Sequence, residues 1–205
     1  MNVREIENMH PNGQRVQAAL DAAGVVGRII ETIEGSPTAA TAAAQLDIEV
    51  GQVCNSLIFD ADGEPLLVLT SGQHKADTHR LAELVGATKV HRPGADFVRE
   101  HTSQPIGGVA PVGHPKPIRT VVDNQLNAWQ VVWAAGGHPH YVFPTSFDEL
   151  VRITKSIFIK NAVVIDHNGV VHAATQRQLP LPQSLNIPHE SKGSRTADFL
   201  HERGG

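Results

Sequence analysis

One stretch, residues 106–115, constrains the fold of this chain more than any other part of the sequence. It holds three glycines and two prolines, and it stands between a segment of helical character and an apolar run. Glycine admits positive φ values and lets another molecule approach the backbone closely. Proline fixes φ and removes a hydrogen-bond donor. The stretch therefore predicts a rigid, shaped loop whose free N–H groups face a ligand, with a plain connecting loop as the alternative.

Length and charge bound the class of protein. The 205 residues fit one domain with an appendage, and a net charge of −4 gives no sign of a broadly basic nucleic-acid face. The single cysteine, Cys54, excludes an internal disulfide and suits a reducing compartment. Because no apolar run reaches membrane-spanning length and no leader follows Met1, we expect a cytoplasmic protein without membrane contact.

The twelve histidines raise the question of a metal site. Pairs such as His138 and His140 lack the spacing to a second matched pair that metal ligands show. We therefore expect no metal and no cofactor, and we interpret most of these histidines as scattered surface residues.

The first half of the chain mixes helix and strand signals. Helical periodicity predicts helices over residues 14–23, from Thr38 to about residue 46, and from residue 77 or 78 to 85. Apolar alternation predicts strands over residues 28–34, 52–59 and 66–70. Asp62-Gly63 lies between the last two, so we expect them to form a hairpin.

The second half continues in the same mixed way. The predicted elements are a strand at 89–91, a helix at 96–101, strands at 119–123, 130–135 and 141–144, and a helix beginning after Thr145 or Ser146. Strict βαβ alternation is absent. The pattern therefore predicts a mixed α/β fold with helices packed on a mixed sheet, and it argues against a doubly wound nucleotide-binding fold.

The character of the chain changes after Lys155. Residues 162–165 and 169–172 flank Asn168-Gly169, which is a strong signal for a type I′ hairpin. From about Thr175 the chain is polar, interrupted by prolines and without apolar periodicity, so we expect a mobile tail. These observations predict a domain over residues 1–155 and a divergent C-terminal hairpin with its tail over residues 156–205.

The order of these elements, together with Gly107-Gly108-Val109-Ala110-Pro111, resembles the YbaK/prolyl-tRNA editing domain family of trans-acting aminoacyl-tRNA deacylases. Residues 107–111 are similar to the Gly-x-x-x-Pro element of that family, and the resemblance covers roughly residues 16–154. It implies a mixed, largely antiparallel sheet with a cleft between loop and sheet. It also implies hydrolysis of the ester that joins a wrong amino acid to the 3′ end of a tRNA.

The chain departs from the family pattern at two places. Asn55-Ser56-Leu57 stands where the family usually has Lys-Ser/Thr-Leu, and His138-Pro139-His140-Tyr141 stands where other members have a Gly-Leu-Asp-like segment. Asn55 is neutral, so it can donate a hydrogen bond but cannot neutralise a phosphate. Two functions therefore stay open. One is an active deacylase, and the other is a weak or inactive module of the same fold that binds an aminoacyl end.

The chemistry required of such a hydrolase is modest. An ester at the tRNA 3′ end is already reactive, so the protein must place a water or a substrate hydroxyl and stabilise the oxyanion. We predict that the backbone N–H groups of Gly107, Gly108 and Val109 supply that stabilisation, with Asn55 in the cleft. Strand alternation sets Cys54 on the opposite face from Asn55, and we interpret it as a buried, inert thiol.

We predict that the protein binds the acceptor end of mischarged tRNA. An aminoacyl-tRNA synthetase is the second predicted partner. The predicted substrate-binding residues are Pro111, Ser56, His114, Asp123, His138 and Lys116. We call residues 106–111 the glycine loop. His114 and Lys116 stand just after it and suit phosphate contacts. Asp123 either orients water or caps a turn. His138 is either a general base or a histidine at a loop edge.

Overall fold

A computed structural model gives the fold and describes residues 1–35, 38–155, 164–165 and 171–172. The helices of this part of the chain are α1 Pro11–Ala22, α2 Ala39–Leu46, α3 Thr78–Val85, α4 Ala95–Thr102 and α5 Phe147–Thr154. The strands are β1 Val3–Arg4, β2 Ile30–Thr32, β3 Val53–Ala61, β4 Glu64–Ser71, β5 Lys75–Ala76, β6 Val90–His91, β7 Arg119–Val122, β8 Val132–Ala135, β9 Tyr141–Thr145, β10 Val164–Ile165 and β11 Val171–His172. Short 3₁₀ helices span Val50–Gln52 and Asn124–Ala128.

The main sheet is mixed, as predicted. Its strands run in the order β1-β2-β9-β8-β3-β4-β7, and β6 pairs with the end of β3. The β3–β8 and β4–β7 pairs are parallel, whereas the other pairs in this sheet are antiparallel. The predicted fold class, a largely antiparallel sheet flanked by helices, is therefore confirmed.

Helices cover both faces of this sheet, as the contacts of β3 show. Successive side chains of a strand point to opposite faces, and those of β3 pack against different helices. Cys54 and Ile58 belong to the largest apolar cluster, which also takes in side chains of α1, α4 and α5. Phe59 packs with α3. Val53 packs with the alanines of α2.

Local sequence signals account for most element boundaries. The Thr38 hydroxyl accepts from the Thr41 N–H at 3.2 Å and caps α2, as predicted. The Asp77 carboxylate caps α3 by accepting from the N–H groups of His79 and Arg80. At the predicted hairpin between β3 and β4, Asp62 and Gly63 both have positive φ, which a type I′ turn requires.

Some boundaries differ from the sequence prediction. Helix α1 begins at Pro11 rather than at residue 14, because proline needs no N–H partner at the first helical position and the His10 imidazole accepts from the Asn12 N–H. The strand predicted over residues 119–123 ends at Val122. Asp123 instead caps the following 3₁₀ helix.

Strands β10 and β11 lie within the two segments of the predicted C-terminal hairpin. Val164 lies opposite His172 and Ile165 opposite Val171 in an antiparallel register, and β10 also pairs with β5. The predicted Asn168-Gly169 turn and the predicted mobile tail lie outside the described residues. The domain boundary after residue 155 stays a prediction.

Candidate active site

A cavity of about 290 Å³ opens where the parallel strands β3 and β8 separate. Pairing between these strands covers Val53–Trp133 and Cys54–Ala134, whereas β3 continues to pair with β4 along its whole length. The next pairing on the β8 side of β3 is with β6, at Asp60. In the described part of the chain, residues 55–59 therefore have a paired neighbour on one side only, and the cavity occupies the open side.

The cavity reaches around this open edge, so side chains from both faces of β3 line it. Asn55 and Ser56 point to opposite faces and both contribute to the lining. Helix α2 forms one wall, and the glycine loop forms the other. The remaining lining comes from α4, from β8 and β9, and from the β6–α4 and β8–β9 connections, including Arg92, Pro93, Val98, Trp133, Ala134, Ala135, Pro139, Tyr141 and Val142.

Main-chain groups of β3 also face the opening. The Val53 carbonyl accepts from the Gly72 N–H at 2.7 Å, so odd-numbered residues of β3 direct their N–H and C=O groups towards β4. Even-numbered residues direct theirs the other way. The N–H and C=O groups of Ser56 and Ile58 therefore point to the open edge, where a polar substrate group can pair with them.

Of the three loop amides predicted to bind the oxyanion, two are without an acceptor among the described residues. The Gly108 N–H donates to the Pro105 carbonyl at 3.0 Å, closing a turn in which Gly107 has φ +83°. The prediction that Gly108 donates to the oxyanion is therefore wrong, because its donor is already used. Gly107 and Val109 line the cavity, and no described residue accepts a hydrogen bond from either N–H. We call these two N–H groups the amide pair.

Gly108 has a packing role instead. An added Cβ would lie 2.6 Å from the carbonyl carbon of His138 and 2.8 Å from the Pro139 nitrogen. Only glycine lets the loop approach the β8–β9 connection this closely. The predicted importance of this position therefore has a steric basis, since Gly108 holds the loop against the segment that supplies Pro139 to the cavity.

Asn55 and Ser56 occupy the cavity as the resemblance implied. Both residues are half-buried, and Asn55 lies on the face covered by α2. The Ser56 hydroxyl is buried, and no described residue lies within hydrogen-bonding distance of it. A buried hydroxyl without a partner is costly, so a ligand group that bonds to it is favoured.

Asp123 does not line the cavity, contrary to the prediction of a substrate contact. Its Oδ2 accepts from the Ser71 N–H at 3.0 Å and lies 2.8 Å from the His74 Nδ1, and its Oδ1 accepts from the Gln125 N–H at 2.9 Å. The carboxylate is 3 % exposed, and its oxygens are used to join β4 to the 3₁₀ helix after β7. The turn-capping alternative is the one that the structure supports.

His138 also lies outside the cavity lining. Its ring contacts those of His10, His140 and Tyr141, with centroid separations of 4.8 to 5.6 Å. Partial burial lowers the pKa of His138, and the neighbouring imidazoles of His10 and His140 lower it further. The His138 imidazole therefore packs among these rings, while the His138 backbone lies beside Gly108.

Three further predicted substrate contacts, Pro111, His114 and Lys116, do not line the cavity. Pro111 is buried within the loop, and Lys116 is exposed beyond it. Burial lowers the pKa of His114 to about 4, although interactions with the main chain of Thr102, Ala110 and Pro111 act in the opposite direction. His114 is half-buried with both ring nitrogens buried, and a neutral imidazole supplies no charge to a phosphate at pH 7, which corrects that prediction.

Most of the other lining residues were not predicted as site residues, and three of them matter most for the chemistry. Arg92 and Pro93 enter from the β6–α4 connection, and the Arg92 guanidinium lies over the Phe59 ring at 5.4 Å from its centroid. Ile106, at the tip of the loop turn, is 62 % exposed and also lines the cavity. The Arg92-Pro93-Gly94 run signals a loop, but nothing in the sequence indicates that this loop reaches the open edge of β3.

Cys54 is buried, as predicted, although it contributes to the cavity lining. Burial raises the pKa of its thiol, and the nearby Asp123 carboxylate raises it further. A nucleophilic cysteine needs a lowered pKa, so this environment does not activate the thiol.

The described residues contain no group of three or more histidine, cysteine, aspartate or glutamate side chains arranged to hold a metal ion. None of the described helices combines the length and apolar character needed to cross a bilayer.

The fold has counterparts among solved structures. A crystal structure of a protein proposed to be a trans-editing enzyme for prolyl tRNA synthetase shares 35% identity with this chain at a TM-score of 0.69, covering 73% of this chain and 96% of that one. A crystal structure of a hypothetical protein shares 30% identity at a TM-score of 0.65, covering 70% and 95%. These matches define the class of fold, the YbaK-like editing fold.

The family follows from the sequence match. The model of the aminoacyl-tRNA editing domain matches residues 33–153, and the chain belongs to this family. Similar curated proteins are proline–tRNA ligases, among them that of Maridesulfovibrio salexigens, 31% identical over 45% of this chain and 16% of the ligase. The ligase of Lactobacillus acidophilus is 23% identical over 78% of this chain and 29% of the ligase. The chain thus spans less than a third of these ligases.

Proposed function

We propose that this protein is a trans-acting aminoacyl-tRNA deacylase that hydrolyses the ester of a mischarged tRNA. The observation that carries the proposal is the amide pair of Gly107 and Val109 on the wall of a cavity beside the open edge of β3. Membership of the editing-domain family supports the same chemistry. The similarity to proline–tRNA ligases makes tRNA charged by the prolyl enzyme the first substrate to test.

The proposed reaction needs no protein nucleophile. A water oxygen attacks the ester carbonyl carbon, and the carbonyl oxygen becomes an oxyanion that accepts hydrogen bonds from the amide pair. The ester bond then breaks, the ribose oxygen leaves with a proton from the water, and the free amino acid is released. Each preorganised donor of this kind contributes about 2.7–4 kcal/mol to the lowering of the barrier.

Side chains around the cavity hold the substrate in this proposal. The Ser56 hydroxyl and the main-chain groups of Ser56 and Ile58 hydrogen-bond the aminoacyl group at the strand edge. Arg92 lines the cavity and supplies the positive charge that Asn55 lacks, so it pairs with a phosphate of the tRNA end. Lys116, which is exposed, contributes to phosphate binding from outside the cavity.

The test is a deacylation assay. Purified protein is incubated with a panel of correctly charged and mischarged tRNAs, beginning with tRNA specific for proline, and release of the amino acid is followed. We expect release from at least one mischarged tRNA and none from correctly charged prolyl-tRNA. An absence of release across the whole panel would reject the deacylase.

Asn55 favours one competing function, a binding module without turnover. The variant Asn55→Lys separates the two functions because it supplies a cation at a position that already lines the cavity. A wild-type protein that binds the aminoacyl end without hydrolysing it, together with a lysine variant that gains activity, would establish the module. Under the deacylase proposal the wild type is active, and Arg92→Gln raises KM and reduces the dependence of KM on salt.

A further inference from the structure

A buried amide side chain, that of Gln104, lies between α4 and the glycine loop. Gln104 is 1 % exposed and does not line the cavity. Burying a glutamine is costly unless its amide is hydrogen-bonded, so the contacts of this side chain indicate what it does.

The Gln104 amide ties the loop at two places. Its Oε1 accepts from the Ala110 N–H at 2.7 Å. Its Nε2 lies 3.4 Å from the Val112 carbonyl and 3.5 Å from the Gly113 carbonyl, to which it donates. One side chain therefore holds backbone groups six, eight and nine residues further along the chain.

The backbone of Gln104 is itself hydrogen-bonded to the end of α4. The Gln104 N–H donates to the Thr102 hydroxyl at 3.0 Å, and that hydroxyl lies 2.6 Å from the Val98 carbonyl as its donor. Thr102 is fully buried. The last turn of α4 thus anchors the segment from Gln104 to Ala110, which the Gln104–Ala110 hydrogen bond closes into a ring. Both members of the amide pair lie in this ring.

The tie to Ala110 acts directly on the geometry of the pair. A peptide bond is planar, so holding the Ala110 N–H also fixes the Val109 carbonyl and limits rotation about the neighbouring Val109 backbone. On the other side of the ring, the Gly108 N–H bond to Pro105 fixes the turn that presents Gly107. The two members of the amide pair are therefore held by one turn and by one side chain.

We propose that Gln104 is a positioning residue of the deacylase: it holds the Gly107 and Val109 amides in place without touching the substrate. This inference rests on the proposed function. A misplacement of about 1 Å at a catalytic group can cost about 100-fold in rate, so a residue outside the cavity can control turnover.

Glutamine fits this task because its planar amide carries an acceptor and a donor at the same end. Gln104→Met keeps the length of the side chain and removes both functions. Gln104→Glu keeps the acceptor for Ala110 but faces the Val112 and Gly113 carbonyls with a second acceptor when it is ionised. A protonated carboxyl regains a donor, so this variant carries a signature that depends on pH.

The experiment compares the full-length wild type, Gln104→Met, Gln104→Glu and the surface control Gln130→Glu, an exposed glutamine. We expect Gln104→Met to lower kcat by about 10- to 100-fold while KM changes by less than about threefold. We expect the rate of Gln104→Glu relative to wild type to rise as the pH is lowered and the carboxyl protonates. Gln130→Glu should keep a constant ratio to wild type at every pH.

Other results overturn the inference. They are a kcat for Gln104→Met within about twofold of wild type, a loss that lies wholly in KM, or a ratio of Gln104→Glu to wild type that does not change with pH. If Gln104→Met fails to fold, the pH dependence of Gln104→Glu decides the question.

Hydrogen exchange separates failure of this inference from failure of the proposed function. If no tRNA is deacylated by the wild type, the deacylase falls, but the loop ties are still measurable. We expect the Ala110 amide to exchange at least about tenfold faster in Gln104→Met than in the wild type, with the amides of α1 unchanged. Unchanged exchange at Ala110 would show that Gln104 does not hold the loop.

Discussion

The two walls of the cavity are built differently. The loop wall carries the amide pair, and hydrogen bonds from Gln104 and within the Pro105–Gly108 turn hold it in place. The wall formed by α2 presents Ala39, Ala42 and Leu46, together with Trp133 and Val142 from the sheet. The first wall is mostly backbone, with Ile106 as its exposed side chain, whereas the second is mostly apolar side chains, with Thr38 as its polar member. Changes to the loop wall should therefore alter the rate, and changes to the helix wall should alter which substrate fits.

The largest effect is expected at Gly108, where the loop wall meets the β8–β9 connection. In Gly108→Ala the new Cβ would lie within 2.8 Å of backbone atoms of His138 and Pro139, which cannot move as a side chain tip would. The loop must shift, so we expect kcat for deacylation to fall by about 100- to 1,000-fold. Gly94→Ala is the control, because a Cβ there meets nothing within 4 Å. Equal activities of the two variants would contradict this steric account.

The second prediction concerns the imidazole buried behind the loop wall. The unfolded His114 binds a proton below its ordinary pKa of 6.5, whereas the folded one stays neutral down to about pH 4. The free energy of unfolding should therefore fall as the pH drops from about 6.5 to 4, by on the order of 3 kcal/mol from this group.

Denaturant unfolding at several pH values tests this prediction. His114→Gln cannot titrate, so its free energy of unfolding should depend less steeply on pH between 6.5 and 4 than that of the wild type. His79→Gln, at an exposed position, should keep the slope of the wild type. A slope that His114→Gln leaves unchanged would mean that other groups account for the loss of stability in acid.

A smaller effect is expected on the helix wall. Ala39→Leu adds bulk to the lining without touching the amide pair. We expect KM for the tRNA carrying the larger of two amino acids to rise by about tenfold, with kcat for the smaller one unchanged. Ala40→Leu, an exposed position on the same helix, should leave both constants unchanged. A fall in kcat for both substrates would contradict the expectation that the helix wall controls only which substrate fits.

The smallest effect is expected at the helix cap. Thr38 caps α2 and also lines the cavity, whereas Ser146 caps α5 and does not. Thr38→Ala and Ser146→Ala should each lower the free energy of unfolding by about 1 kcal/mol. Only Thr38→Ala should also change KM, by a few fold. An equal change of KM in both variants would show that lost stability, rather than the cavity wall, is responsible.

Local sequence patterns were enough to predict most of the fold. The sequence predicts a cap at Thr38, a cap at residue 77 or 78, of which Asp77 is the one, and a hairpin turn at Asp62-Gly63, because these signals act over three or four residues. The mixed sheet followed from the order of the elements. The boundaries that were missed, such as the start of α1 at Pro11, depend on a side chain just outside the periodic pattern.

The candidate site was less accessible from the sequence. The loop and Asn55 were found by composition and resemblance, but Arg92 was missed because its connection is distant in sequence from the loop. Asp123 was placed in the site by its position at a strand end, whereas its carboxylate is used by Ser71 and His74. Such partners are set by strand order, which a linear pattern does not contain.

The sequence by itself determined that residues 106–115 form a constrained loop, that Cys54 is a core thiol, and that strands and helices alternate irregularly. These are properties of backbone propensity and short-range pattern. Only the tertiary structure decided that β3 and β8 separate after Cys54, that the Gly108 amide is used inside its own turn, and that Gly107 and Val109 keep theirs open. The physical reason is that a hydrogen bond or a free strand edge depends on which distant groups arrive beside it.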